Sequence, residues 1–138
     1  MPEITVMCNG CFDCFHYGHF VHLRAARALG DRLVVALTDD PFVNKGPGRP
    51  MFPWKERMEI LAALPFVDAV YQASSAEHGI RLVRPDIYVK GIEYEDELPE
   101  RAMVERYGGR VVFLDEGPRY SSTKIMNGEM LRERTGTP

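Results

Sequence analysis

The 138-residue sequence lacks any apolar run long enough to cross a membrane, and it lacks a strong excess of charge of either sign. Its 17 Lys and Arg residues against 20 Asp and Glu residues give a net charge of −3, which offers no general attraction to nucleic acids or to an anionic membrane surface. No signal-peptide pattern opens the chain, so we expect a cytoplasmic protein with neither nucleic acid nor membrane as a partner. A phosphate-rich ligand would need a local cluster of basic groups.

Cysteine is also scarce. The only three, Cys8, Cys11 and Cys14, are spaced as C-x-x-C-x-x-C, which leaves open a cysteine-based metal or redox protein. Closed metal sites usually use four ligands, and the sequence contains no fourth cysteine. Cys8 also lies in an apolar segment, where a buried and unreactive thiol is common. We therefore predict no metal site, and we expect no disulfide in a reducing cytoplasm.

The sequence does contain a regular alternation of short apolar runs with segments of helical periodicity. Residues 33–37 are continuously apolar, as in a strand that is buried on both faces. This pattern predicts an α/β fold over residues 1–138, a Rossmann-like doubly wound parallel five-stranded sheet with helices on both faces. The predicted strands are 4–8, 32–37, 68–71, 86–89 and 110–114, and the predicted helices are 17–29, 53–64, 78–83, 99–107 and 121–134. Ligands of such sheets bind beyond the carboxyl ends of the strands.

The most informative segment follows the first predicted strand and reads N-G-C-F-D-C-F-H-Y-G-H over residues 9–19. His16 and His19 flank Gly18 at the start of the first predicted helix. Unpaired N–H groups at a helix N-terminus favour anions, and a glycine lets the backbone approach a ligand closely. The segment therefore predicts a phosphate-binding turn. Asp13 could orient one of the histidines or hold the turn.

This segment resembles the G-x-F-D-x-x-H-x-G-H signature of the cytidylyltransferase-like nucleotidyltransferases and meets it at all six fixed positions. The resemblance implies transfer of a nucleoside monophosphate from a nucleoside triphosphate, with Mg²⁺, to a phosphorylated small molecule. It implies that His16 and His19 are catalytic and donate hydrogen bonds to the phosphates rather than acting as bases. The nucleotide-binding residues it implies in this segment are Gly10, Cys11, Phe12, Asp13 and Gly18.

A second segment, R-Y-S-S-T-K-I over residues 119–125, opens the last predicted helix. It resembles the S-S-T or S-T-T run of the same family. The resemblance implies catalytic roles for Ser122 and Thr123 and nucleotide binding by Arg119 and Ser121. Simple capping of the helix by a serine is the alternative. In this chain Glu116 and Gly117 occupy the place where the family usually has an arginine, so Arg119 would have to replace it.

A third segment, V-K-G-I-E-Y over residues 89–94, resembles the V-K-G-G-D-Y run of the sugar-phosphate (heptose 1-phosphate) adenylyltransferases. Glu93 stands where those proteins have aspartate, and Ile92 stands where they have a second glycine. For Lys90, the simpler alternative is a solvent-exposed lysine at the end of a strand. The nucleotide-binding residues implied here are Lys90, Gly91, Glu93 and Tyr94.

A Gly- and Pro-rich loop and the helix after it match the same adenylyltransferases. Lys45 lies in a K-G…R-P pattern and is expected to close over the triphosphate as a catalytic residue, although a surface lysine is an equal alternative. Asp40 and Arg57 are expected to contact the substrate. Asp40 could instead cap a helix, and Arg57 could instead pair with a neighbouring glutamate.

Taken together, these resemblances favour an enzyme that transfers AMP from ATP to a sugar 1-phosphate and releases pyrophosphate. The partners are then a nucleoside triphosphate and a phosphorylated acceptor, and the family implies a homodimer. Three alternatives stay open: a CTP-dependent glycerol-3-phosphate-type cytidylyltransferase, a FAD-synthetase-like adenylyltransferase, and a non-catalytic nucleotide-binding module.

Overall fold

A computed structural model describes residues 2–115 as five strands joined by helices. Two short 3₁₀ turns, at Asp40–Phe42 and Ile92–Tyr94, follow the second and the fourth strand. The elements in chain order are β1 Thr5–Gly10, α1 Tyr17–Arg27, β2 Arg32–Thr38, α2 Trp54–Ala62, β3 Ala69–Ala73, α3 Ala76–Val83, β4 Ile87–Gly91, α4 Arg101–Arg106 and β5 Arg110–Leu114. The helix predicted at 121–134 lies outside the described residues.

The five strands form one sheet in the order β3-β2-β1-β4-β5, and every neighbouring pair is parallel. The chain first builds outward from β1 to β3 and then returns to the other side of β1 with β4. Cys8 of β1 is therefore paired with Val35 on one side and with Val89 on the other. This reversal is the topological switch point at which such sheets bind ligands, and it lies between the carboxyl ends of β1 and β4.

Helices cover both faces of the sheet. Because successive strand residues point to opposite faces, Val6 and Met7 belong to different cores. Leu23 of α1 and Leu61 of α2 pack on the Val6 face, whereas α3 and α4 contribute Ile80 and Val104 to the Met7 face. The structure thus confirms the predicted five-stranded parallel sheet with helices on both faces.

The element boundaries differ from the predictions by at most two residues, and those of β5 agree at both ends. β1 runs on to Gly10 because Asn9 and Gly10 continue the pairing with β2, which no apolar pattern reveals. α3 begins at Ala76, two residues earlier than predicted, because the Ser75 hydroxyl accepts a hydrogen bond from the His78 N–H at 3.0 Å and caps the helix. Within residues 2–115 there is no helix with the length and apolar character that a membrane span requires.

Candidate active site

A cavity of about 420 Å³ opens at the switch point, between the carboxyl ends of β1 and β4 and the start of α1. Its volume lies in the range usual for small-molecule sites. The cavity brings together four segments that are far apart in the sequence: the turn after β1, the first turns of α1, the loop after β2 and the segment after β4. The predicted site residues that line it are Gly10, Cys11, Phe12, Asp13, His16, Gly18, His19, Lys45, Lys90, Gly91, Glu93 and Tyr94.

The rings of His16 and His19 stack on each other, with centroids 3.8 Å apart and planes 20° apart. The backbone N–H of His16 donates to Nδ1 of His19 at 3.3 Å, so His19 serves the N-terminus of α1 as an acidic residue does in a capping box. A neutral imidazole has one N–H donor and one acceptor. Since Nδ1 accepts, Nε2 of His19 carries the proton and is the atom that can donate to a ligand.

Burial holds both imidazoles in the neutral form. It lowers the pKa of His19 to about 3, and the neighbouring His16, His22 and Lys45 lower that pKa further. Burial also lowers the pKa of His16. At neutral pH the pair is therefore uncharged, and it offers hydrogen-bond donors without the repulsion of two stacked cations. A bound anion would favour the protonated forms and raise both pKa values.

The Asp13 carboxylate is buried and holds the loop that follows β2. It accepts hydrogen bonds from Nε of Arg49 at 2.7 Å, from the N–H of Met51 at 2.8 Å and from the N–H of Phe52 at 3.0 Å. Burial alone would raise the pKa of Asp13, but these backbone donors and Arg49 bring it below its usual value. These partners of Asp13 therefore belong neither to a histidine nor to its own turn, and Asp13 joins that turn to the loop after β2.

Arg57 and Asp40, which were predicted to contact the substrate, are not among the residues that line this cavity. Arg57 is 1% exposed and does not line the cavity, since its guanidinium donates to the carbonyl oxygens of Phe52, Cys11 and Thr38 at 2.8–2.9 Å. Its remaining nitrogen donates to the Asp40 carboxylate rather than pairing with a neighbouring glutamate.

Asp40 likewise lies outside the cavity, at the start of a 3₁₀ turn that Asp39 caps. The position of Arg57 is explained by the three backbone carbonyl groups to which its buried guanidinium donates. Arg57 thus supports Cys11 and Thr38, which do line the cavity, and the predicted contact of Arg57 and Asp40 with the substrate stays a prediction.

The end of β4 and the 3₁₀ turn after it form another part of the cavity wall. The ammonium of Lys90 lies 4.3 Å from the centre of the Tyr94 ring, and burial lowers the pKa of Lys90. A side chain at Gly91 would collide with the Glu93 carboxylate, which therefore lies directly against the backbone of Gly91. Glu93 also lines the cavity, so this wall carries a carboxylate.

His22 is a cavity residue that the sequence analysis missed. It lies three residues after His19 on α1, on the same face of the helix. Burial lowers the pKa of His22, the carboxylate of Glu93 raises it, and Lys90 lowers it. The spacing H-x-x-H-x-x-H was visible in the sequence and is the signal that could have found it.

The cysteines do not assemble a metal site. None of the three forms a disulfide, and burial raises the pKa of Cys8 to about 12, so that this thiol stays protonated. Among residues 2–115, no three His, Cys, Asp or Glu side chains converge as metal ligands would. Four predicted site residues lie outside the described part of the chain: Arg119, Ser121, Ser122 and Thr123.

The geometry agrees with what comparison with known proteins finds. Residues 7–128 match the family model described as Cytidylyltransferase-like. The chain belongs to the cytidylyltransferase-like family. The family predicted from the motif of residues 9–19 is therefore confirmed.

The relatives include proteins named Bifunctional protein HldE. That of Alcanivorax borkumensis is 42% identical over 137 residues, and that of Hahella chejuensis is 44% identical over 129 residues. These alignments cover 96% and 90% of this chain but only 28% and 27% of the relatives, so the chain spans just over a quarter of their length. The crystal structure of a lipopolysaccharide core biosynthesis protein from Thermoplasma volcanium is similar with a TM-score of 0.72, at 26% identity, over 85% of this chain and 100% of that one.

Proposed function

We propose that this protein is a nucleotidyltransferase that transfers AMP from ATP to a sugar 1-phosphate and releases pyrophosphate. The observation that carries the proposal is the stacked pair of His16 and His19, with Nε2 of His19 available as a donor at the N-terminus of α1. Lys45 lines the same cavity. Neutral donors at a helix N-terminus, together with a lysine in the same cavity, suit the phosphates of a nucleotide.

In the proposed reaction, an oxygen of the acceptor phosphate attacks the α-phosphorus of the nucleotide. The bond from the α-phosphorus to the bridging oxygen breaks, and its electron pair leaves with pyrophosphate. The acceptor phosphate is already ionised at neutral pH, so no general base is needed. Catalysis then consists of positioning and of stabilising charge on the phosphate oxygens. We assign the α- and β-phosphates to His16 and His19, and the leaving pyrophosphate to Lys45.

Mg²⁺ enters this proposal as part of the substrate, bound to the triphosphate. Asp13 lines the cavity, but its carboxylate already accepts three hydrogen bonds and is poorly suited to bind a cation. Magnesium is commonly held by substrate phosphates with few protein ligands. We therefore propose that the phosphates and water provide most of its coordination.

The choice of ATP and of a sugar 1-phosphate is supported by the segment after β4, whose V-K-G-I-E-Y sequence resembles that of sugar-phosphate adenylyltransferases. Glu93, which lines the cavity beside Gly91, has a carboxylate that suits the hydroxyl groups of a ribose. The similarity to a lipopolysaccharide core biosynthesis protein points to the same class of sugar chemistry. We also propose that the enzyme is cytoplasmic. We further propose that it forms a homodimer, and light scattering of the purified protein would test this oligomeric state.

Pyrophosphate release tests the reaction and its substrates together. ATP, CTP, GTP and UTP, each with Mg²⁺, are combined in turn with heptose 1-phosphate, other sugar 1-phosphates, glycerol 3-phosphate and flavin mononucleotide. We expect release with ATP and a sugar 1-phosphate. Release only with CTP and glycerol 3-phosphate, or only with ATP and flavin mononucleotide, would replace the substrate assignment. Saturable nucleotide binding without release in any combination would instead favour a binding module.

A further inference from the structure

Three of the four histidines of this chain line one cavity. His16 and His19 belong to the phosphate-binding turn, but His22 does not belong to that motif. Three residues along an α-helix correspond to a rise of about 4.5 Å, so His22 lies roughly one helical turn further into the cavity than His19. The cavity therefore continues along α1 past the place assigned to the phosphates.

The charges around the cavity change between these two histidines. The neighbouring groups that lower the pKa of His19 are His16, His22 and Lys45, and none of them is a carboxylate. His22 instead interacts with the carboxylate of Glu93 as well as with Lys90. A carboxylate beside His22 disfavours a second phosphate group there. Because Lys90 and Glu93 carry opposite charges, this part of the cavity has no excess of positive charge to attract a phosphate, and an uncharged part of a nucleotide suits it better.

The wall around His22 suits a flat, partly polar ring. Val89 in the middle of β4 and Leu114 at the end of β5 line the same cavity and offer apolar contact. A neutral imidazole adds one donor and one acceptor in the plane of its own ring. Apolar walls with a few fixed polar groups are what orient a small aromatic ligand.

We propose that His22 contacts the nucleobase of the bound nucleotide and contributes to the choice of base. Glu93 then faces the ribose, and His16 and His19 face the phosphates, so that the three parts of the nucleotide follow one another along the cavity. This inference rests on the proposed function, because it requires a nucleotide in this cavity. His22 is in this view a specificity-determining residue, and the transfer step does not depend on it.

Calorimetric binding of ATP, CTP, GTP and UTP with Mg²⁺, and of inorganic tripolyphosphate, separates base contacts from phosphate contacts. The proteins are the wild type, His22→Leu, His22→Gln and His78→Leu. The last variant is a matched control, because His78 lies on α3 and does not line the cavity. Thermal unfolding of each variant verifies that it is folded before binding is measured.

We expect the wild-type protein to bind one nucleotide more tightly than the other three. His22→Leu should weaken the affinity for that nucleotide about tenfold, as for the loss of one hydrogen bond, while the affinity for tripolyphosphate stays the same. His22→Gln, whose amide also donates and accepts, should recover part of the preference. His78→Leu should keep it. If His22→Leu leaves the base preference intact, or lowers the affinity for tripolyphosphate as much as that for the nucleotides, the role of His22 at the base is overturned. If wild-type protein binds neither nucleotides nor tripolyphosphate, the proposed function itself fails, and this inference fails with it.

Discussion

The backbone N–H of His16 donates to Nδ1 of His19 at 3.3 Å while the two imidazole rings stack 3.8 Å apart. This single hydrogen bond fixes the tautomer of His19, and so it decides which of its nitrogen atoms faces a ligand. A motif that reads in sequence as two equivalent histidines is in fact asymmetric. His19 supports the start of α1 with one nitrogen and is free to donate with the other.

The two nitrogen atoms of His19 can be tested separately. His19→Asn places an acceptor near the position of Nδ1 but removes the donor at Nε2, whereas His19→Gln places an amide near Nε2. We expect His19→Asn to lower kcat by roughly 10²–10³-fold, as for the loss of one transition-state donor, and His19→Gln to retain more activity. Steady-state pyrophosphate release measures both variants.

His78→Asn is the matched control for these substitutions, since His78 accepts a hydrogen bond from the Ser74 N–H and does not line the cavity. It should keep wild-type kcat. The donor role of His19 would be wrong if His19→Asn stayed within about threefold of wild type while remaining folded.

The low pKa of His19 makes the stability of the protein depend on pH. Burial and its neighbours hold this pKa at about 3, against 6.5 for an ordinary histidine. The unfolded chain therefore binds more protons than the folded protein between these values, so His19 destabilises the fold progressively as pH falls below 6.5. A single group of this kind changes the free energy of unfolding by at most about 1.4 kcal/mol per pH unit.

Urea denaturation between pH 7 and pH 5 measures this dependence, because most carboxylates stay ionised in that window. His19→Gln should flatten the curve relative to wild type. An unchanged slope in that variant would show that His19 is not held neutral by the fold.

The parts of this structure that sequence could predict are those encoded by contiguous residues. The apolar run of β2 and the motif of residues 9–19 carry their own signals, because each depends on neighbours along the chain. β5 was predicted with the bounds that the structure shows, Arg110–Leu114. By contrast, the last two residues of β1 are held only by pairing with β2, and their own composition gave no indication of a strand.

Arg57 shows why the supporting residues of the site escaped prediction. In the sequence it is a charged residue on a helix beside glutamates, which usually means an exposed surface. Its burial depends on carbonyl groups that come from three separate segments, at Cys11, Thr38 and Phe52. Such a convergence exists only after the chain has folded.

The same convergence predicts a large stability effect at this position. Arg57→Met keeps most of the side-chain volume but leaves three carbonyl groups without their donor, so we expect a loss of roughly 2–4 kcal/mol in the free energy of unfolding. Asp40→Asn is the control, because the Asp40 carboxylate is 42% exposed and removing an exposed charge usually costs less than about 1 kcal/mol. Chemical denaturation compares the two variants, and equal losses would contradict the account.

Asp13 provides the last prediction, which concerns the loop that carries Lys45. Asp13→Asn removes the charge that the Arg49 guanidinium and the N–H groups of Met51 and Phe52 share. We expect this loop to open more often, since charge-assisted hydrogen bonds are roughly twice as strong as neutral ones. Trypsin should then cleave after Lys45 faster than in wild type, and the KM for the nucleotide should rise more than kcat falls. Asp39 directly follows β2 and does not line the cavity, so Asp39→Asn should change neither the cleavage rate nor the KM. A cleavage rate equal to that of wild type would mean that the backbone of residues 49–52 holds the loop without the carboxylate.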